Sequence, residues 1–366
     1  MALRTCLLGI MADVLLSSCG QVLQSFIPGT PTLSPTPTVT LTPTSTPLPS
    51  STPTATLTPT PTSPALGKLG TVEQNVTYCT MGGVAVHMDV YYPDTNNGPW
   101  PVVMIVHGGA WSLGDKTTTP DLAAQPGLNA RGFLVVSINY RLAPSFPWPS
   151  MIQDAKCAVR SLRANAAQYN LDPNRIGALG DSVGGQLVLL LGLTDPSVGW
   201  DVGQYLGYSS QVQAVTEFFG PTDLTDASLY DLIQGLGQLA FYDTLWNSPE
   251  LIKASPITYV KADAPPIFIA QGTLDQTVPF VQSQMFYDKM KALGAPIWLV
   301  TMKNAIHSFA PVYYEVSPTE DQVMAMTVNF FTNELTPPPA SLYVLCEETP
   351  DPLPMDGPPA SCAAQH

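Results

Sequence analysis

Three polar side chains, far apart in the chain, have the types and flanks for acyl transfer through a covalent intermediate: Ser182, Asp275 and His307. Ser182 lies in Gly180-Asp181-Ser182-Val183-Gly184-Gly185, after an apolar run at 176–179 and before an apolar stretch at 186–193. Strand, sharp turn and helix in that order are what a Gly-x-Ser-x-Gly nucleophile elbow requires. Glycines two before and two after the serine let strand and helix approach closely. Its Oγ then stands above the sheet edge, where the free N–H groups of the helix start face developing negative charge. His107-Gly108-Gly109-Ala110-Trp111 follows another apolar run, at 102–106. The amides of Gly109 and Ala110, with that of Val183, would form an oxyanion hole, whose donors act on the oxygen once it becomes an anion. Gly108 and His107 would support that loop, His107 by hydrogen bonds rather than by taking a proton.

The base follows by elimination among four histidines. His366 ends a proline-rich tail, His87 lies in an early strand as surface or core filling, and His107 belongs to the oxyanion loop. His307 remains, in Asn304-Ala305-Ile306-His307-Ser308-Phe309, directly after the last strand. The acid should lie between nucleophile and base, after the penultimate strand, where Asp275 stands. Asp263 precedes that strand and Asp288 sits within a helix, so both are poorer candidates. No cofactor or metal is implied, because no His/Cys/Asp cluster has ligand spacing and no loop is built to cradle phosphate.

The elements that must position these residues alternate strand and helix. Residues 84–92 alternate apolar and polar side chains and read as an early antiparallel strand. Runs at 102–106, 133–138, 176–179, 212–219, 267–270 and 297–301 are short and mostly apolar, as parallel strands buried on both faces should be. Residues 152–168 repeat Ile152, Ala155, Val159 and Leu162 on one helical face; 282–293 and 321–335 are further helices. The fold class is therefore α/β: a mostly parallel, doubly wound sheet of about eight strands, with chemistry gathered where strands end and loops begin.

Outside this body the composition changes. Eleven of the 38 prolines fall in 28–64 and eight in 337–359, so neither stretch can build a core and the foldable body is 65–336. Residues 1–19 read as an export signal, with Arg4 at its start, an apolar run interrupted by Asp13, and Leu16-Ser17-Ser18-Cys19 as a cleavage site. Cys19 would be lipidated if the site is a lipobox; ordinary secretion and an apolar cytoplasmic N-terminus are the alternatives. Residues 20–64 read as a Thr/Pro linker, a semi-rigid spacer holding the body away from a membrane, and 337–366 as a Pro-rich tail. Cys157, on the apolar helix, is expected as a buried free thiol. Cys346 and Cys362 are the preferred disulfide, with Cys79 to either as the rival. A net charge of −14 without a basic patch excludes nucleic-acid partners; Arg160 and Arg163, the nearest thing to a cluster, read as a solvated helix face. Oligomeric state is open.

With Tyr140-Arg141-Leu142-Ala143-Pro144, these motifs make residues 71–335 resemble the α/β-hydrolase esterases, in particular the hormone-sensitive-lipase-like and bacterial feruloyl/acetyl esterase group. The nucleophile–acid–base order is that of the fold. Ala110 stands where a third glycine is common, keeping the amide at little cost, and Ser145 where the lipase-like branch often has an acid. The resemblance implies an α/β-hydrolase fold and a serine ester hydrolase acting on a neutral ester with a short or aromatic acyl group. A polymer ester substrate, a serine peptidase and a non-catalytic surface binding lipoprotein are the alternatives. No segment is large enough for a separate lid domain, although Tyr230, Phe241, Tyr242 and Trp246 could overhang the site. Trp111, Phe146, Trp148, Phe219 and Phe309 are the candidates for an acyl pocket.

Overall fold

A computed structural model describes residues 68–95, 98–241 and 248–336. Cys19 and the segment read as a Thr/Pro linker, Tyr242 and Trp246, and Cys346 and Cys362 lie outside the described residues. The strands are β1 (Val72–Met81), β2 (Val84–Tyr91), β3 (Trp100–Val106), β4 (Leu134–Ile138), β5 (Leu171–Asp181), β6 (Ala214–Phe218), β7 (Ile267–Gly272) and β8 (Ile297–Met302). They form one sheet in the order β1-β2-β4-β3-β5-β6-β7-β8. β1 and β2 pair antiparallel, β2 runs antiparallel to β4, and every later pairing is parallel. The mostly parallel, doubly wound sheet expected from the apolar runs is the sheet observed.

Side chains alternate across the strands, and both faces are covered. On β3, Val102, Met104 and Val106 enter one apolar cluster while Val103 and Ile105 enter the other. The helix Val183–Leu193 is buried along its whole length on the first face, which explains why its sequence is apolar all round. The helix Glu320–Leu335 covers the second face and starts with a reciprocal cap: Gln322 N–H donates to Thr319 Oγ1, and Thr319 N–H to Gln322 Oε1. Gly177 admits it, since a Cβ there would lie 2.6 Å from the Phe331 ring. Leu229, Ile233, Ala240, Leu251 and Ala254, from the excursion after β6, are buried in the first cluster. That excursion is therefore part of the body, and no separate lid domain forms among the described residues.

Several expectations need correction. Helix 152–168 is instead Ser150–Ala164 followed by a short turn of helix, Ala166–Tyr169. The break is at Asn165, whose side chain donates back to Ser161 O at 2.8 Å. Cys157 is not a free thiol, and Cys79 does not reach the tail: the two are bonded to each other, tying β1 to this helix across 78 residues. Closing so long a loop stabilises by about 4 kcal/mol if the effect is entropic. Arg160 and Arg163 do not form a solvated face either. Arg160 is fully buried and donates to Asp201 Oδ1, Val202 O and Gln204 O, while Arg163 donates to Pro173 O and Ser209 O. Lys156 joins Arg160 on Asp201, so one carboxylate partners two buried cations that would otherwise be costly to desolvate.

Candidate active site

Ser182 stands between β5 and its helix with φ 50° and ψ −121°. A serine at positive φ is uncommon and strained, and it persists only where its surroundings enforce it. Here Ser182 N–H donates to Phe218 O at 2.8 Å, and Ser182 O accepts from Gln186 N–H at 3.1 Å. The flanking glycines are obligatory for space: a Cβ on Gly184 would lie 1.9 Å from Val106 O, and one on Gly180 2.5 Å from the Gly184 backbone.

His307 follows β8 in a loop tied by the bridges Ala305–Pro311 and Lys303–Ser317. Its Nε2 lies 3.2 Å from Ser182 Oγ, and its Nδ1 lies 2.7 Å from Asp275 Oδ2. A carboxylate only accepts, so Nδ1 carries the proton and Nε2 offers its lone pair to the serine hydroxyl. Asp275, after β7, has its side chain fully buried, whereas that of His307 is 24% exposed. Asp275 Oδ1 accepts the N–H groups of Thr277 and Val278, each at 2.9 Å, and Oδ2 also accepts Gln271 Nε2 at 3.0 Å. The three residues singled out from the sequence thus meet in one hydrogen-bonded line.

The loop after β3 lies against the elbow. Gly108 N–H donates to Asp181 Oδ1 at 2.8 Å, and Thr119 Oγ1 donates to the same oxygen at 3.0 Å. Leu113 N–H closes a turn on Gly109 O at 2.9 Å. Among the described residues no hydrogen-bond acceptor is found for the N–H of Gly109 or Ala110, and the N–H of Val183, as first residue of its helix, has no intrahelical partner. Ala110 adopts φ 48°, so it is not free of cost: the left-handed region is worth roughly 1–2 kcal/mol against a residue with a Cβ. His107 donates from Nδ1 to Gly108 O at 2.6 Å and stacks on Tyr140 at 4.3 Å. Burial lowers its pKa, which favours the neutral ring.

The aromatic candidates divide. Trp111 is fully buried under the loop, where its Nε1 donates to Gln186 Oε1 at 2.9 Å and its ring meets Phe241 edge-on. That ring is core in this structure, not an open pocket wall. Phe219 and Phe309 are also buried; Phe219 packs edge-on against the His307 ring at 4.6 Å and Phe309 against Phe219 at 4.8 Å. They buttress the base. Trp148 is half-buried against Trp200 and Phe241, and half-buried Phe146 lies beside the Arg141 guanidinium, in a groove at the β2 side with His87.

Three acidic side chains lie close to the triad and its elbow: Asp181, Asp121 and Glu217. Asp181 is nearly buried and its pKa is raised, chiefly by loss of water. Asp121 is fully buried and its pKa is raised well above its ordinary value, by burial first and then by Asp181 and Glu217 nearby. Glu217, on β6, is pushed up to about 8 by burial, with Asp275 adding to it. A signal was available: Glu217 is a lone charged residue inside an apolar run whose period leaves no wet face.

The BD-FAE family model matches residues 88–290. Esterase LipC of Mycobacterium tuberculosis is 32% identical over 223 residues, which are 59% of this chain and 55% of LipC. The chain spans about half the length of the curated relatives it matches first. Among solved structures, a truncated carbohydrate esterase from gut microbiota superposes with a TM-score of 0.63 at 28% identity, covering 75% of this chain and all of that one. Esterase 2 of Thermogutta terrifontis, at 24% identity and a TM-score of 0.59 over 72% of this chain and 94% of its own, shares the fold.

Proposed function

The chain belongs to the BD-FAE family of α/β-hydrolase fold, and from that membership we propose that it is a serine carboxylic-ester hydrolase. The line Ser182–His307–Asp275, at 3.2 and 2.7 Å, is the observation that carries the reading. His307 Nε2 takes the Ser182 proton as Oγ attacks the ester carbonyl, and Asp275 fixes the tautomer and stabilises the imidazolium. The N–H groups of Gly109, Ala110 and Val183 receive the oxyanion. The alcohol leaves with the proton from His307. Water, activated by the same nitrogen, then frees the acid from Ser182.

A panel of p-nitrophenyl esters from acetate upward, with methyl ferulate and an aminoacyl-p-nitroanilide, tests the proposal. Turnover of the short or aromatic esters is expected, and Ser182→Ala should lower kcat by about 10⁶-fold. Cleavage of the anilide alone would transfer the site to peptides, and an active Ser182→Ala would remove the mechanism. A second reading, esters carried on a carbohydrate, is favoured by the likeness to a carbohydrate esterase at 28% identity. Acetate release from an acetylated oligosaccharide measures it.

Export completes the proposal, with Cys19 as a lipidated tether to a membrane surface. The body disulfide Cys79–Cys157 supports an oxidising compartment. Mass spectrometry of the mature N-terminus is expected to find acylated Cys19; an intact Met1 in cytosol would reject export.

A further inference from the structure

Directly after β6, one peptide unit and one ring meet the carriers of all three triad residues. Phe218 O accepts Ser182 N–H at 2.8 Å. The N–H of the same peptide, on Phe219, donates at 3.1 Å to Ala270 O of β7, the strand that leads to Asp275. The Phe219 ring lies 4.6 Å from the His307 ring, with the two planes at 61°. Nucleophile, acid strand and base are thus referred to a single point of the sheet. The backbone there is strained: Phe219 adopts φ 42°, an outlier for a bulky side chain. Glycine would be at ease at that φ, yet the chain places its glycine one residue later. There space demands it, since a Cβ on Gly220 would lie 2.9 Å from Gln186 N and 3.0 Å from Ser182 O.

Strain of this kind persists where the surroundings enforce it, and it gathers at functional sites. His307 needs what the Phe219 ring supplies. Its Nδ1 is anchored on Asp275 at 2.7 Å, while Nε2 reaches Ser182 Oγ at 3.2 Å, the long end of the hydrogen-bond range. An imidazole anchored along one edge can swing about that edge, and its side chain is partly open to solvent. Phe219, by contrast, is only 2% exposed and is itself wedged. Phe309 meets it edge-on at 4.8 Å, and Phe218 packs on Phe309 at 5.2 Å. Phe309 is left-handed as well, at φ 63°, after Ser308 at φ 71°. Both aromatic residues of this wedge therefore sit on strained backbone beside the base.

We propose that Phe219 is a positioning residue for the hydrolysis, a strut that fixes the plane of the His307 ring relative to Ser182. Being buried, it acts through His307 and not on substrate. Nε2 works twice in each turnover, on the Ser182 proton and then on water, so the strut serves whichever step is slower. The proposal rests on the hydrolase reading for its kinetic readout.

The test is kcat and KM for p-nitrophenyl acetate in Phe219→Leu, with Phe330→Leu as its control. Leucine keeps an apolar side chain at 219 and removes the flat ring. Phe330 is buried in the same apolar cluster, against Phe268, Trp298 and Phe331, so its replacement takes a similar volume from the same core. Phe219→Leu should lower kcat about tenfold or more and leave KM within about twofold, as loss of orientation alone does. Phe330→Leu should keep kcat within about twofold. Should Phe219→Leu not fold, Phe219→Met, with its adaptable chain, carries the same expectation. Equal falls at 219 and 330, or an undiminished kcat in the 219 variant, overturn the strut. A loss confined to KM would put Phe219 on substrate and overturn it too. The downfield proton NMR signal of His307 Nδ1–H gives a readout without turnover. Its exchange with solvent should be about tenfold faster in Phe219→Leu than in the wild type or Phe330→Leu; like rates in all three overturn the strut. If the wild type turns over no ester yet the exchange differs in this way, the hydrolase reading falls and the strut stands.

Discussion

The nucleophile and the acid–base pair are held in opposite ways. Around Ser182 the positioning is done by backbone: positive φ, glycines in contact with carbonyls, and a helix start that leaves amides free. Around Asp275 and His307 side chains share it with the N–H groups of Thr277 and Val278: Gln271 and Ser283 on one flank, Phe219 and Phe309 on the other. A backbone-held site tolerates almost no change in volume but is indifferent to protons. A side-chain-held site accepts substitutions of similar shape and remains open to titration.

Gly184→Ala should break the contrast most severely. Its Cβ would fall 1.9 Å from Val106 O, so strand or helix must shift, and a loss of more than about 4 kcal/mol is expected in chemical denaturation. A fully stable, active variant would show that the elbow is softer than its packing. Asp181→Ala probes a side chain on which the backbone half depends, through Gly108 N–H and Thr119 Oγ1. Leaving that buried N–H unsatisfied costs about 1–3 kcal/mol, and kcat should drop about ten- to a hundredfold. Asp181→Asn, which keeps an accepting oxygen, should recover most of it; equal loss in both variants would point to charge instead.

Glu217→Gln should have the smallest effect on turnover at neutral pH, yet it changes how stability depends on pH. The folded-state pKa of Glu217, about 8, lies above its ordinary value of 4.5. The native state therefore holds a proton that the unfolded chain releases. Its contribution is complete below pH 4.5 and is lost as pH rises toward 8. Urea denaturation across that window should show wild-type stability declining relative to Glu217→Gln, with parallel values above it. Parallel values throughout would mean that Glu217 ionises as an ordinary carboxyl.

The same contrast explains what could be read in advance. The elbow, the oxyanion loop and the order Ser182, Asp275, His307 were legible because glycine spacing and strand-end position report backbone geometry directly. The side-chain support around Asp275 was not, because Gln271 and Ser283 come from a strand and a later helix and meet only when the two pack together. Long-range pairing also defeated the cysteines: Cys157 sits on an apolar helix face, and nothing local shows that β1 packs over it. β1 itself escaped notice, since register shifts between Glu73 and Val76 and between Thr77 and Cys79 interrupt the alternation by which a strand is recognised. Arg160 looked solvated because its partner Asp201 lies on a distant loop.

The bond from Cys79 to Cys157 also decides how the body bears load. Among the described residues β1 is an edge strand paired only with β2, so a pull arriving from before Val72 would peel it open one hydrogen bond at a time. Near the far end of that strand the peel meets a covalent stop. From Cys79 the force passes into the helix Ser150–Ala164, whose buried face spreads it across the sheet. A chain hauled by its N-terminal side would thus fray by less than one strand, leaving the loops that carry Ser182 and His307 out of the line of tension.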